Sequence, residues 1–179
     1  MAKAIRLKEH NSTPVVETFP PEVHIEGPAV GLAAFRQPRL EPKLAVVLAD
    51  DVPAGALPGD VARAVTGVFL TVDILDTTAE SSECVAGGGF LLGEQLLPLE
   101  LMGELRLQLD GELVAAGSVA RLGDPVTRIA WLASEVDGLH AGDTVLLGFP
   151  VASVPAPSGT LLLEGPLGAM LSADLRGAA

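Results

Sequence analysis

Residues 39–51 read RLEPKLAVVLADD, and this stretch decides what kind of sheet the chain builds. An unbroken apolar run, residues 44–48, lies between Pro42-Lys43 on one side and Asp50-Asp51 on the other. A short apolar run bounded in this way predicts a buried strand with polar residues at its mouth. Side chains alternate between the faces of a strand, so Glu41 and Lys43 share one face and Arg39 joins them. An acid and a base on one side of a strand either neutralise each other or do chemistry. Arg39 beside them is either a carboxylate clamp or, as the plainer role, an ion-pair partner.

Composition sets the frame for that strand. A chain of 179 residues suits one domain with a sizeable core. Hydrophobic residues make up 49% and charged residues 19%, which is the balance of a globular protein. Five Phe, one Trp and no Tyr leave the core to Leu, Val and Ala, while twenty Gly and fourteen Pro cut the chain into short elements. A β-rich fold with many turns is expected. The net charge of −12 argues against nucleic acid, since phosphate binding needs clustered Lys and Arg. One cysteine, Cys84, excludes an internal disulfide and a multi-thiolate metal site in one chain. No apolar run is long enough to span a bilayer, and MAKAIRLKEHNSTP lacks the apolar core of a secretory signal. A cytoplasmic location without membrane association is expected.

Outward from residues 39–51, the N-terminal side is turn-rich. IRLKEH predicts a short strand, and residues 1–34 are expected to form an arm available for oligomer contact, ahead of a domain over 35–179. His10 and His24 have no acid or cysteine partner at metal-ligand spacing. On the C-terminal side, Pro58-Gly59-Asp60 opens a short helix. Residues 68–76, VFLTVDILD, predict a second strand whose apolar run is interrupted by Asp73. A carboxylate there is costly without a partner. Residues 77–86 read as a polar loop, and GGGFLLG as a glycine-kinked strand, since it lacks the Gly-Lys-Ser/Thr ending of a phosphate loop. Asp110-Gly111 marks a hairpin within residues 105–122. Asp124 is a plausible N-cap for an amphipathic helix over 126–134. Further strands are expected over 144–149, 160–164 and 166–175.

Taken in order, these pieces resemble the C-terminal catalytic domain of the fumarylacetoacetate hydrolase superfamily, in its branch of 2-hydroxy-dienoate hydratases and oxalocrotonate decarboxylases. The carrying segments are residues 35–48 (FRQPRLEPKLAVVL), 72–77 (VDILDT), 89–93 (GFLLG), 111–123 (GELVAAGSVARLG), 124–133 (DPVTRIAWLA) and 138–148 (GLHAGDTVLLG). The resemblance implies a mainly β, α+β fold: a mixed β-sandwich roll with one or two short helices. It also implies a divalent metal, magnesium or manganese, held by a Glu-x-Glu pair and an acid on the next strand. Carried over position by position, the first Glu is Glu41, the second falls on Lys43, and the third acid falls on Asp73.

An ammonium offers no lone pair and repels a cation. The expectation is therefore a degenerate metal site and no cofactor, with magnesium or manganese as the alternative. Lys43, Glu41 and Asp73 are the candidate catalytic residues. Arg39, Phe149, Pro150 and Val151 are expected to line an apolar substrate pocket, the last three standing where the hydratases carry hydroxyl-bearing residues. The function expected is metal-independent cyclisation or rearrangement of a hydrophobic, polyketide-type small molecule by a bacterial homodimer. The alternatives are metal-dependent hydration, decarboxylation or isomerisation of a 2-hydroxy-dienoate, and a non-catalytic binding protein.

Overall fold

The computed structural model describes residues 4–10, 13–19, 24–78, 81–148 and 152–177. Two sheets carry the chain. The larger uses β1 (Ala4–His10), β2 (Thr13–Phe19), β4 (Pro38–Leu48), β5 (Val65–Thr78), β6 (Ser81–Leu92), β9 (Thr144–Leu147) and β10 (Val154–Pro155). The smaller uses β3 (Ala29–Gly31), β7 (Glu104–Leu109), β8 (Glu112–Ser118), β11 (Gly159–Glu164) and β12 (Met170–Arg176). Helix α1 (Pro58–Ala64) follows β4, and α2 (Pro125–Glu135) follows the β7–β8 hairpin. This is the mainly β, α+β architecture expected, with its two short helices.

In the larger sheet the strands run β2-β1-β9-β4-β5-β6, with β10 also pairing β4; in the smaller they run β3-β12-β11-β7-β8. The pairs β1–β9 and β12–β3 are parallel and the others antiparallel, so both sheets are mixed. Residues 1–34, expected as an arm, supply β1, which is hydrogen-bonded between β2 and β9, along with β2 and β3.

Strand β4 shows why the sequence builds this arrangement. Leu40, Leu44, Val46 and Leu48 alternate onto the face that packs in the main core, with Val68, Leu70, Val72 and Ile74 from β5. Each such side chain, fully withdrawn from water, contributes about 1.5–3 kcal/mol. The opposite face carries a second, smaller apolar cluster of Ala4, Ala45, Phe90 and Leu146. Both faces of the strand are thus covered, as its near-continuous apolar run requires. Pro42 is tolerated in mid-strand because β4 meets β10 only at Arg39 and Leu40, and β9 only over residues 44–47. Between them β4 has no ladder partner on that side among the described residues, so no donor is needed there.

Local expectations are met at Asp124, which caps α2 by accepting from the Val126 amide at 3.3 Å, and at Asp110-Gly111, both at positive φ in the β7–β8 turn. Two differ. Residues 77–78 and 81–86, expected within a loop, are strand: Thr77 pairs with Cys84 and Thr78 with Ser81, extending β5 and β6. Strand β12 begins only at Met170, after a 3-10 turn at Pro166–Gly168.

Candidate functional site

Glu41 and Asp73 are register partners on β4 and β5, so both carboxylates leave the sheet on the face away from the main core. Like charges facing each other across a ladder repel. Lys43, two residues along β4, resolves the conflict. Its Nζ donates to Asp73 Oδ2 at 2.5 Å and lies 3.1 Å from Glu41 Oε2.

A fourth charge comes from β1. Arg6 donates through Nε to Asp73 Oδ2 at 2.6 Å and through Nη2 to Asp73 Oδ1 at 2.5 Å. A guanidinium fork on a carboxylate is among the stronger ion-pair geometries. In a flat sheet three strand spacings of about 4.8 Å would separate β1 from β5, too far for these side chains to meet. The twist and coil of the sheet close that distance. Gly88 lies beside the fork at φ +143°: a Cβ there would meet Arg6 Nη2 at an ordinary 3.6 Å but would clash with the Ile74 carbonyl oxygen at 2.5 Å.

The four side chains carry two positive and two negative charges and sum to zero. Lys43 and Asp73 are fully enclosed and Arg6 is 2% exposed, whereas Glu41 is 16% exposed. Glu41 is the most open of the four. Burial alone would push the Asp73 carboxyl up; the Lys43 ammonium first, then the Arg6 guanidinium, and the hydrogen bonds from both outweigh it and hold Asp73 below the usual carboxylate range. Asp73 is thus a fixed anion. It anchors Lys43, and Lys43 in turn anchors Glu41.

Around the cluster the same face is apolar. Ala4, Ala45, Phe90 and Leu146 pack together with Leu92 beside them, and the His24 ring stacks on Phe90 at 5.1 Å. Arg39, the candidate clamp, turns its fork elsewhere: Nε donates to Ser153 Oγ at 2.8 Å and Nη2 donates to the Ser153 carbonyl. It ties β4 to the segment returning at β10. Phe149, Pro150 and Val151, expected in a pocket, lie outside the described residues. Asp76 caps the entry to β4 by accepting from the backbone amides of Arg36 and Gln37. A cleft of about 200 Å³ opens beside the start of α2, lined by Leu44, Val68, Leu99, Val119 and Leu147 among others. Leu44 points opposite to Lys43 on β4, so this cleft and the ion cluster back onto each other across the strand.

Sequence reasoning brought Glu41, Lys43 and Asp73 together and missed Arg6. Its signal in IRLKEH is a charged residue between Ile5 and Leu7, which any half-exposed strand would show.

The donor set does not fit a divalent cation. Both Asp73 oxygens are engaged by Arg6 and Lys43, Glu41 Oε2 faces the Lys43 ammonium, and neither cation has a lone pair to offer. Among the described residues no group of three or more His, Cys, Asp or Glu is placed to hold a metal. None of the described helices is long and apolar enough to cross a membrane.

No family model matches the sequence, and no curated protein matches it. Solved structures do. The 4-oxalocrotonate decarboxylase from Pseudomonas putida G7, complexed with calcium and acetate, superposes with TM-score 0.82 at 22% identity, covering 98% of this chain and 77% of that one. The 5-carboxymethyl-2-hydroxymuconate delta-isomerase from Mycobacterium smegmatis gives TM-score 0.82 at 19% identity, over 99% and 80% of the two chains. The 2-hydroxyhepta-2,4-diene-1,7-dioate isomerase from Mycobacterium marinum gives 0.83 at 18%, over 99% and 75%. The chain has the fold of these proteins.

Proposed function

We propose that this chain is a metal-independent, isomerase-type enzyme acting on an uncharged carbonyl compound, with Glu41 as the group that meets the substrate. The observation that carries this reading is the exposure gradient through the cluster: Asp73 and Lys43 are sealed, and Glu41 alone of the four is more than marginally open. A carboxylate held at one oxygen by Lys43 and open to a ligand can take a proton from carbon next to a carbonyl and return it elsewhere. Lys43, 3.1 Å from Glu41 Oε2, and Asp73, holding Lys43, position that carboxylate and do not touch substrate. The engagement of both cations by carboxylates and the apolar neighbours Phe90, Leu92 and Leu146 disfavour a dicarboxylate and suit a hydrophobic ligand. Ring closure or rearrangement of a polyketide-type substrate is the more specific form of this reading. There, a pocket that holds one reactive conformer supplies much of the rate.

A second reading is supported by the fold. The decarboxylase it resembles is complexed with calcium, and in another structure with magnesium and adipate. On this reading the present chain would isomerise or decarboxylate a 2-hydroxy-dienoate with a metal bound by Glu41 and Asp73, and Lys43 would have to turn away. The two readings part in one assay. The protein is incubated in heavy water with EDTA and a panel of uncharged enolisable ketones, beginning with 2-acetylcyclohexanone, and deuterium uptake is followed by NMR. Catalysed exchange that Glu41→Gln abolishes supports the proposal. Turnover of 5-carboxymethyl-2-hydroxymuconate that magnesium supports and EDTA stops would overturn it.

A further inference from the structure

We propose that the Arg6 guanidinium and the Lys43 ammonium together are a built-in substitute for a divalent cation, Arg6 gripping Asp73 and Lys43 bridging Asp73 to Glu41. Two carboxylates in register on one face need positive charge between them or must protonate. Here the chain itself delivers that charge from two places, β1 and β4, and the two unit charges equal the charge of one divalent ion. The oxygens an ion would use are the oxygens these donors use: Asp73 Oδ1 and Oδ2, and Glu41 Oε2. The ammonium lies at short range from both carboxylates, in the place a bridging cation would take.

Charge counting then says what one substitution does. In Lys43→Glu one cation is lost and one carboxylate gained, so the charge at the cluster falls by two, the charge of a single divalent ion. Three carboxylates would then converge from β4 and β5 on one point, a set of hard oxygen donors that manganese and magnesium accept. Arg6, still forked on Asp73, keeps that carboxylate in place.

The test uses manganese as probe, its free-ion signal read by electron paramagnetic resonance and its effect on the protein by thermal unfolding. K43E is expected to deplete the free-ion signal further than the wild type and to gain more unfolding temperature with manganese than the wild type does, as binding to the folded state requires. Binding by scattered surface acids is common to both proteins and cancels in the comparison. Manganese binding by the wild type as tight as by K43E would overturn the proposal, as would a folded K43E that binds no better than the wild type. If K43E folds only when refolded with manganese, the proposal is supported. If it folds in neither condition, Lys43→Gln decides: a rise in its unfolding temperature with manganese supports the proposal, and no rise overturns it. This inference shares with the proposed function the premise of a metal-free wild-type site. The variants are read without any turnover, so their failure leaves the carbonyl chemistry to its own assay.

Discussion

Arg6 and Asp73 lie 67 residues apart in sequence and are joined by two charge-assisted hydrogen bonds inside the roll. This contact links β1 to β5, three strands away in the larger sheet. It also fixes the carboxylate on which Lys43 depends. Four consequences can be measured.

Replacing Lys43 by Met leaves Glu41 and Asp73 facing each other with no charge between them. Removing one partner of a buried ion pair costs about 3–5 kcal/mol, and denaturant unfolding is expected to show a loss of that order. A loss under about 1 kcal/mol, the worth of an exposed pair, would mean that the lysine is not bridging.

Asp73 is held below the usual carboxylate range in the folded protein, so its ionisation contributes stability above its unfolded pKa of about 3.9. That contribution fades as pH falls from there toward the folded value. Wild-type stability should therefore drop more steeply below about pH 4 than that of Asp73→Asn, which has no such proton to take up. Parallel unfolding curves for the two proteins across that range would contradict the assignment.

Gly88 is at φ +143°, where a side chain is strained, and an added Cβ would lie 2.5 Å from the Ile74 carbonyl oxygen. Gly88→Ala is expected to cost at least the ~1–3 kcal/mol of a strained backbone position, read by denaturant unfolding. Unchanged stability would contradict the strain at this position.

Glu41→Gln keeps the shape of the side chain and a hydrogen-bond acceptor for Lys43. It should fold like the wild type and lose about 100-fold or more in turnover, the range for a general base. Unchanged turnover would remove Glu41 from the chemistry.

Much of this was legible in the sequence, for physical reasons that differ by residue. Alternation along β4 is a local property, so the shared face of Glu41 and Lys43 could be read directly from RLEPKLAVVL. The interruption of an apolar run marked Asp73 as a carboxylate in need of a partner, but only register could put it opposite Glu41. Arg6 was not legible. Its position depends on the parallel pairing of β1 with β9, whose sequence separation no periodicity encodes. Arg39 was read as a clamp or ion-pair partner, and its fork goes to Ser153, an uncharged residue that composition gave no reason to choose. Residues 77–86 were read as a loop because they are polar, yet ladder hydrogen bonds belong to the backbone and extend the β5–β6 pairing without an apolar pattern.

The central claim is that Lys43 and Arg6 hold the site without a metal. Isothermal titration of the wild-type protein with magnesium and with manganese tests it most directly. No saturable binding at the cluster is expected, in the wild type or in Lys43→Arg. Stoichiometric binding with micromolar affinity, lost when Asp73 is changed to Asn, would contradict it.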